Sequence, residues 1–398
     1  MILVTPDLPW EELSGYGLLT GQAIESFARK TELHLFALSS RGPEFEIPQN
    51  LGLATVQVVN PSGHSLWRKR VRQVLSFPTR NSQMAFQAAN PTDLARLIEL
   101  ANRVGPRLIV FNHIRCARLL PLFRRKAAGD AKLAYLAHNA ETHSNRTMLA
   151  RSRNPALRQA MRWELRKLAA LERRVIAASD ATVVLTVQDQ QRLRSLDDSD
   201  RFYVIPPWTR PAKKDSATAN GSGEGMLLVG SFDWYPKRRN VEWFVRKVLP
   251  GVRRRFPNSH LTIVGAGADR LKQAIGGVAN VTIRSDVSDV EGYYDPGAVF
   301  LVPEWQEGGI KLKTLEAATH GLALVSTPAG VEGTGLSNRE HCLVASEAGP
   351  FAAAICDLLE DPAKKAKLGK SARRHVLETF TRELVSPRYD HLLRRMGV

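Results

Sequence analysis

Residues 307–321 read EGGIKLKTLEAATHG: a glycine pair, two lysines within three positions, then a glutamate entering an apolar helical run. The unpaired N–H groups of a helix's first turn already carry partial positive charge, so each lysine there costs roughly 0.3 kcal/mol or more. An anion at that point reverses the sign. Gly308 and Gly309 let a ligand approach the backbone, and a helix starting near Ile310 offers free N–H donors. Lys311 and Lys313 add full charges, so the turn from Ile310 to Thr314 is expected to contact a diphosphate. The alternative is that both lysines point to solvent and the glycines only close the loop. Glu316 lies one turn beyond Lys313 on the same side. Its carboxylate suits a pair of ribose hydroxyls, or else an ion pair with Lys313.

A second basic segment, VGSFDWYPKRRN (229–240), follows the first strand of the C-terminal half. Gly230 and Ser231 end that strand, and Lys237, Arg238 and Arg239 lie in a loop before a helix expected over 241–254. Three cations ahead of a helix invite a diphosphate, and a solvated loop is the alternative. In the N-terminal half, His138 closes the strand of KLAYLAHNAETH (132–143), which puts it at the ligand-binding end of a parallel sheet. A lone histidine is more often structural. The short SGYG motif places Gly15 and Gly17 before another helix. DDSD (197–200) reads as a turn, and no DxD motif follows a strand, so no metal or other cofactor is expected.

These residues need strands and helices to hold them. Apolar runs such as ILVT (2–5), TVQVVN (55–60), RLIVFN (107–112), ATVVLT (181–186), MLLVGS (226–231) and AVFLVP (298–303) alternate with amphipathic helical stretches. That pattern means an α/β fold with parallel sheets covered on both faces. PAKKDSATANGSGEG (211–225) has linker composition and divides the chain. The expected organisation is a domain over 1–207, a linker over 208–225, a second domain over 226–380 and a terminal helix over 381–398. Two doubly wound domains of this kind create a cleft between the carboxyl ends of their strands. The terminal helix either returns to the first domain or finishes the second.

Charge is distributed unevenly. The net charge is +17, and residues 61–180 hold 23 Lys and Arg against 7 Asp and Glu. Arg68, Lys69, Arg70 and Arg72 flank Leu66 and Trp67, and Arg158, Arg162, Arg166 and Arg173 recur along a long helical stretch. The partners compatible with this are nucleic-acid phosphates or the anionic headgroups of a cytoplasmic leaflet, with a merely solvated face as the alternative. Three cysteines without metal or disulfide spacing fit a reducing cytosol. No apolar run is long enough to span a bilayer.

Taken together, GSFDWYP (230–236), LTIVGAG (261–267), VSDVEGYY (287–294), GGIKLKTLEAATHG (308–321), STPAGVEG (326–333) and CLVA (342–345) resemble, in order and spacing, a retaining glycosyltransferase of family 4. The GGI-[basic]-x-K-x-LEA variant is similar to a subgroup of bacterial exopolysaccharide synthesis. The resemblance implies a GT-B fold of two Rossmann-like domains, a nucleotide-sugar donor and a glycan or lipid-linked acceptor. By it, Ser231 and Lys237 meet the donor diphosphate, Val287 and its neighbours frame the nucleobase, Gly15 borders the reaction centre and His138 lies near the transferred sugar. Glu316 matches the second glutamate of the family's E-x(7)-E signature, which holds the ribose. Gly308 stands where the first belongs, with Glu307 one residue out of register and Glu304 further off.

Other readings are a GT-B sugar epimerase, a dinucleotide oxidoreductase and a basic nucleic-acid-binding protein. IVGAGADRL (263–271) begins like GxGxxG but lacks the third glycine. The basic residues fall on helices with few interleaved aromatics and no nucleic-acid-binding motif, so no nucleic acid is expected. The membrane reading explains the charge better, since an enzyme building a lipid-linked glycan meets its acceptor at the inner leaflet.

Overall fold

Short runs rich in Val, Ile and Leu, bounded by turns, form two parallel sheets. The computed structural model describes residues 1–8, 10, 15–39, 51–59, 79, 82–83, 91–127, 129–150, 155–210, 212, 225–287 and 289–398. The chain forms one unit from Met1–Pro207 with Val385–Val398, and another from Trp208–Leu384.

In the first unit the strands are β1 (Ile2–Thr5), β2 (Leu33–Ala37), β3 (Leu53–Val58), β4 (Leu108–Asn112), β5 (Lys132–Ala137), β6 (Ala181–Val184) and β7 (Phe202–Val204). They lie in the order β3-β2-β1-β4-β5-β6-β7 with parallel pairing throughout. The second unit holds β8 (Gly225–Val229), β9 (His260–Gly265), β10 (Val281–Ser285), β11 (Val299–Val302), β12 (Ala323–Ser326) and β13 (Leu343–Val344), in the order β10-β9-β8-β11-β12-β13. The order in which strands are added therefore reverses next to the first strand of each sheet, at β1/β4 and at β8/β11. Loops beyond the carboxyl ends of those strands are where such sheets take ligands. The chain has the two-domain Rossmann-like architecture of the GT-B class.

Several local expectations are corrected. The helix placed over 241–254 starts earlier, at Tyr235–Trp243, continues as a π-helical turn over Phe244–Val248 and ends as Leu249–Arg253. Pro236 is tolerated because first-turn N–H groups have no intrahelical partner. Pro250 lacks the N–H that would bond four residues back, and a widened turn precedes it. The helix after Gly309 starts at Leu312, with Lys311 as its cap, rather than near Ile310. Trp208 and Thr209 are packed: Thr209 N donates to Phe380 O (2.7 Å) and the Arg382 guanidinium lies 5.7 Å from the Trp208 ring. Most of the remaining linker, residues 211 and 213–224, lies outside the described residues.

The last helix, Arg382–Arg395, packs from Val385 onward in the first unit. Tyr389 meets Phe27 edge-on at 5.3 Å, and Arg388 Nη1 donates to Val204 O (3.1 Å). The glycines of VGAG are occupied by backbone crossings. A Cβ on Gly265 would lie 1.8 Å from Gly230 O, and one on Gly267 2.6 Å from Asp233 Oδ1. Their role is to let β8 and β9 end side by side, which accounts for the partial dinucleotide pattern.

Candidate functional site

In the second unit, the β11 end and the β8 end bring cations together. Glu304 leaves β11 almost fully buried, 3 % exposed. Its carboxylate pairs with Lys313 Nζ through Oε1 and accepts from Asn240 Nδ2 through Oε2 (2.8 Å). Burial alone would raise its pKa, but Lys313, Lys237 and Lys311 hold it down to about 2. Lys237, on the first turn of Tyr235–Trp243, is half-buried. Burial lowers its pKa to about 8, with Glu304 opposing and the neighbouring Lys313 and Lys311 ammonium groups adding to the fall. Lys313 is thus paired with the buried carboxylate, and Lys237 and Lys311 lie close enough for their charges to act on it. That is a poor arrangement for an isolated protein and a favourable one for an added anion.

Gly308 and Gly309 both adopt the left-handed region, φ 94° and 64°, which other residues reach only with strain. Their turn lets Lys311 fold back so that Nζ donates to Gly308 O (2.7 Å), while Gly308 N donates to Glu332 Oε2 (3.1 Å). Beyond them the helix Leu312–Thr319 begins: Thr314 N donates to Lys311 O (2.9 Å), and the N–H groups of Leu312 and Lys313 come ahead of the first intrahelical bond. Neither lysine is left on the surface: Lys311 bonds the loop, and the Lys313 side chain is 15 % exposed. Gly230 belongs to the same cluster, since a Cβ there would come within 3.9 Å of Lys313 Nζ. Ser231 follows it, half-buried.

Glu316 does not pair with Lys313. Its Oε2 accepts from the Tyr294 hydroxyl (3.1 Å), and burial raises its pKa while that bond partly offsets the rise. Val287 is half-buried after β10, and its neighbour Ser288 lies outside the described residues. Two expected donor contacts are placed differently. Arg238 Nη1 donates to Phe232 O (2.6 Å) and Asp233 O (2.9 Å), so its guanidinium ties down its own loop. Thr314 is fully buried and its hydroxyl donates to Gly330 O (2.8 Å), because its face of the helix turns into the core. Ile310 is buried under the loop, 7 % exposed.

In the first unit, β1, β4 and β5 end at a buried polar cluster. His138 Nε2 lies 2.7 Å from Asn112 Oδ1, and Asn112 Nδ2 donates to Thr20 Oγ1 (2.8 Å). With the amide so oriented, Nε2 must carry the ring hydrogen and Nδ1 is the acceptor. Burial lowers the His138 pKa to about 3, so the ring is neutral. His113, at the end of β4, has a strained φ of 78°, and its Nδ1 accepts from Arg115 N (3.2 Å). Its Nε2 lies 3.6 Å from Glu141 Oε1, and that oxygen accepts from Asn139 Nδ2 (3.0 Å). Tyr16, between Gly15 and Gly17 at the start of helix Gly15–Ala28, sets its ring 5.2 Å from His138 and 5.5 Å from His113. The residues before Gly15, 11–14, lie outside the described residues. The helix Glu141–Ala150 is preceded by Ala140, whose methyl group cannot cap it. Glu172, reaching from helix Pro155–Ala178, accepts from Glu141 N (2.7 Å) and Thr142 N (3.0 Å) instead.

Sequence reasoning missed Glu304 as the counter-ion, Asn240 and Tyr294 in the second unit, and His113, Asn112, Tyr16 and Glu172 in the first. They come from several separate elements, Asn112 and His113 sharing one strand end, and topology brings them together. Tyr16 and His113 alone had a local signal, sitting beside a glycine pair and at a strand end.

Of the basic residues, Arg68, Lys69, Arg70 and Arg72 lie outside the described residues. Arg158, Arg162, Arg166 and Arg173 are exposed on helix Pro155–Ala178, with Trp163 among them at 41 % exposure. Among the described residues, no helix is long and apolar enough to cross a membrane.

Residues 223–361 match the family model of glycosyl transferases group 1. The chain is 27% identical over 163 residues to an uncharacterized 44.6 kDa protein in the cps region of Klebsiella pneumoniae, covering 39% of this chain and 42% of that protein. It is 25% identical over 198 residues to a GDP-mannose-dependent alpha-(1-6)-phosphatidylinositol monomannoside mannosyltransferase of Mycolicibacterium smegmatis, covering 46% and 50%. The chain thus spans about half the length of the curated relatives it matches. Among solved structures, sucrose-phosphate synthase of Thermosynechococcus elongatus superposes with a TM-score of 0.76 at 19% identity, covering 100% of this chain and 98% of that one. WaaG, a glycosyltransferase involved in lipopolysaccharide biosynthesis, gives 0.67 at 16% identity over 100% of both. Anabaena Alr3699/HepE in complex with UDP and glucose gives 0.69 at 13%, covering 99% of each.

Proposed function

We propose that this chain is a retaining glycosyltransferase that moves a sugar from a nucleotide-sugar donor to a glycan or lipid-linked acceptor, in polysaccharide or glycolipid synthesis at the cytoplasmic face of a membrane. The observation that carries this reading is the gathering of Lys237, Lys311 and Lys313 around Glu304 at the start of a helix preceded by two left-handed glycines. The family match over the same unit supports it.

In this reading the donor diphosphate takes the place beside the lysines, and Glu316 accepts from its ribose. As the bond from the anomeric carbon to phosphate oxygen breaks, the lysines and the helix N-terminus stabilise the departing nucleoside diphosphate. The acceptor hydroxyl attacks the same face, and its proton goes to the leaving phosphate oxygen. No cofactor is required, because the ammonium groups take the role a divalent cation has elsewhere. The first unit takes the acceptor, with the His138 Nδ1 lone pair receiving a hydroxyl of the transferred sugar. The exposed arginines of Pro155–Ala178 meet anionic lipid.

A thermal-shift screen against UDP, GDP, dTDP and their sugars tests the donor site. A nucleotide at a hundred times its Kd adds about 2.7 kcal/mol of stability. No stabilisation by any of them would sink the proposal. Anomeric NMR of the product from the best donor then tests retention.

A further inference from the structure

We propose that Tyr294 is a positioning residue for the ribose end of the nucleotide site: its hydroxyl holds Glu316 by Oε2, leaving Oε1 for a ribose diol. This rests on the reading of Glu316 as the ribose acceptor, and it assigns a residue that touches no substrate itself.

The geometry is specific. Tyr294 follows a short 3₁₀ turn, Glu291–Tyr293, and is buried to 5 % exposure. Its ring is fixed on two sides, stacked on His320 at 4.7 Å and 20°, and tilted against Phe300 at 5.9 Å. A ring clamped in that way delivers its hydroxyl to one place, and the place is Glu316 Oε2 at 3.1 Å. Burial and the nearby carboxylate push the phenol well above its ordinary range, so it stays a donor. The Glu316 carboxylate makes no other hydrogen bond among the described residues. A carboxylate on a helix has free χ rotations, and one bond to a rigid donor removes most of them before a ligand arrives. The nearer intrahelical partner, Lys313, is drawn away by Glu304. Without Tyr294, the carboxylate would be free to turn towards the lysines and compete with the diphosphate.

The ligand class implied is a ribonucleoside diphosphate, distinguished from pyrophosphate and from a 2′-deoxy nucleotide. Calorimetric titration of wild type, Tyr294→Phe and Glu316→Gln with UDP, GDP, their 2′-deoxy forms and inorganic pyrophosphate tests this. Tyr294→Phe keeps the ring and its stacking. It is expected to weaken binding of the preferred ribonucleoside diphosphate about fivefold, to leave pyrophosphate within twofold, and to shrink the ribo-over-deoxy preference as Glu316→Gln does. An unchanged ribo-over-deoxy preference overturns the proposal, as does a parallel loss of pyrophosphate and nucleotide affinity, which would mean a purely structural role. If wild type binds pyrophosphate and no nucleotide, the ribose role of Glu316 fails first, and this assignment goes with it.

Discussion

Lys313 pairs with Glu304, nine residues back along the chain, and not with Glu316 one turn along its own helix. The choice follows from burial. Glu304 is cut off from water and must be paired, whereas Glu316 can be satisfied by a neutral phenol. The pair also gathers Lys237, so one carboxylate organises the cations that a diphosphate would meet.

That arrangement predicts the effect of removing the carboxylate without changing its shape. Glu304→Gln keeps the size and a hydrogen bond to Asn240, but leaves buried ammonium groups without a counter-charge. Loss of about 3 kcal/mol is expected. A bound nucleoside diphosphate then supplies the missing charge, so the ligand-induced rise in Tm should be larger in the variant than in wild type. Thermal melts with and without UDP or GDP measure both, and equal rises would contradict the account.

Truncation at either end of the proposed donor site should cost affinity. Lys237→Ala and Glu316→Ala are each expected to reduce nucleotide-sugar binding or turnover at least tenfold, about 1.4 kcal/mol. Unchanged kinetics in both would remove the assignment.

The pH dependence has a definite sign. Lys237 in the free protein titrates near 8. Diphosphate binding favours its charged form, so affinity is full below that pH and declines as pH rises through it. Between pH 7.5 and pH 9, a fall approaching tenfold is expected. Lys237→Arg stays charged throughout this range and should flatten the profile. Titration calorimetry across the range distinguishes the two curves.

Strands were the most legible part of the sequence, because runs such as ILVT and AVFLVP report burial on both faces. The segment from Gly308 to Lys313 was legible for a different reason: glycines and lysines at a helix start are locally anomalous. Glu304 gave no such signal, since a carboxylate next to a strand looks like any loop residue until Asn240 and Lys313 are folded against it. The helix starting at Tyr235 was missed because proline at its head reads as a breaker unless its place in the first turn is known. Arg238 and Thr314 have the same residue types as other donor-site candidates, and only the structure shows that their side chains bond the backbone of Phe232 and Asp233 and of Gly330.

Glu172 holds the start of a helix from outside it. It accepts the first two N–H groups of Glu141–Ala150, a task usually given to a capping Ser, Thr, Asp or Asn. Glu172→Ala should therefore cost about 1–2 kcal/mol, as loss of a strong cap does. It should also loosen Glu141, whose Oε1 lies beside His113. Amide hydrogen exchange localised to 141–145 would report the open cap, and protection unchanged there would mean that Glu172 acts elsewhere.

The exposed face of Pro155–Ala178 carries Arg158, Arg162 and Arg166 at four-residue spacing, with Trp163 beside them. Cations close to an anionic leaflet contribute about 1 kcal/mol each, and an indole anchors at headgroup depth. Reversing the three arginines to glutamate should reduce flotation with phosphatidylglycerol vesicles at low salt at least tenfold. Trp163→Ala should reduce it less and without changing the salt dependence. Neutral vesicles should recruit neither wild type nor variants. Equal flotation of wild type and the triple variant would mean that this helix is only a solvated face. Recovery of wild-type binding at high salt would argue against an electrostatic attachment altogether, because screening at about 0.5 M salt shortens the reach of these charges to a few ångströms.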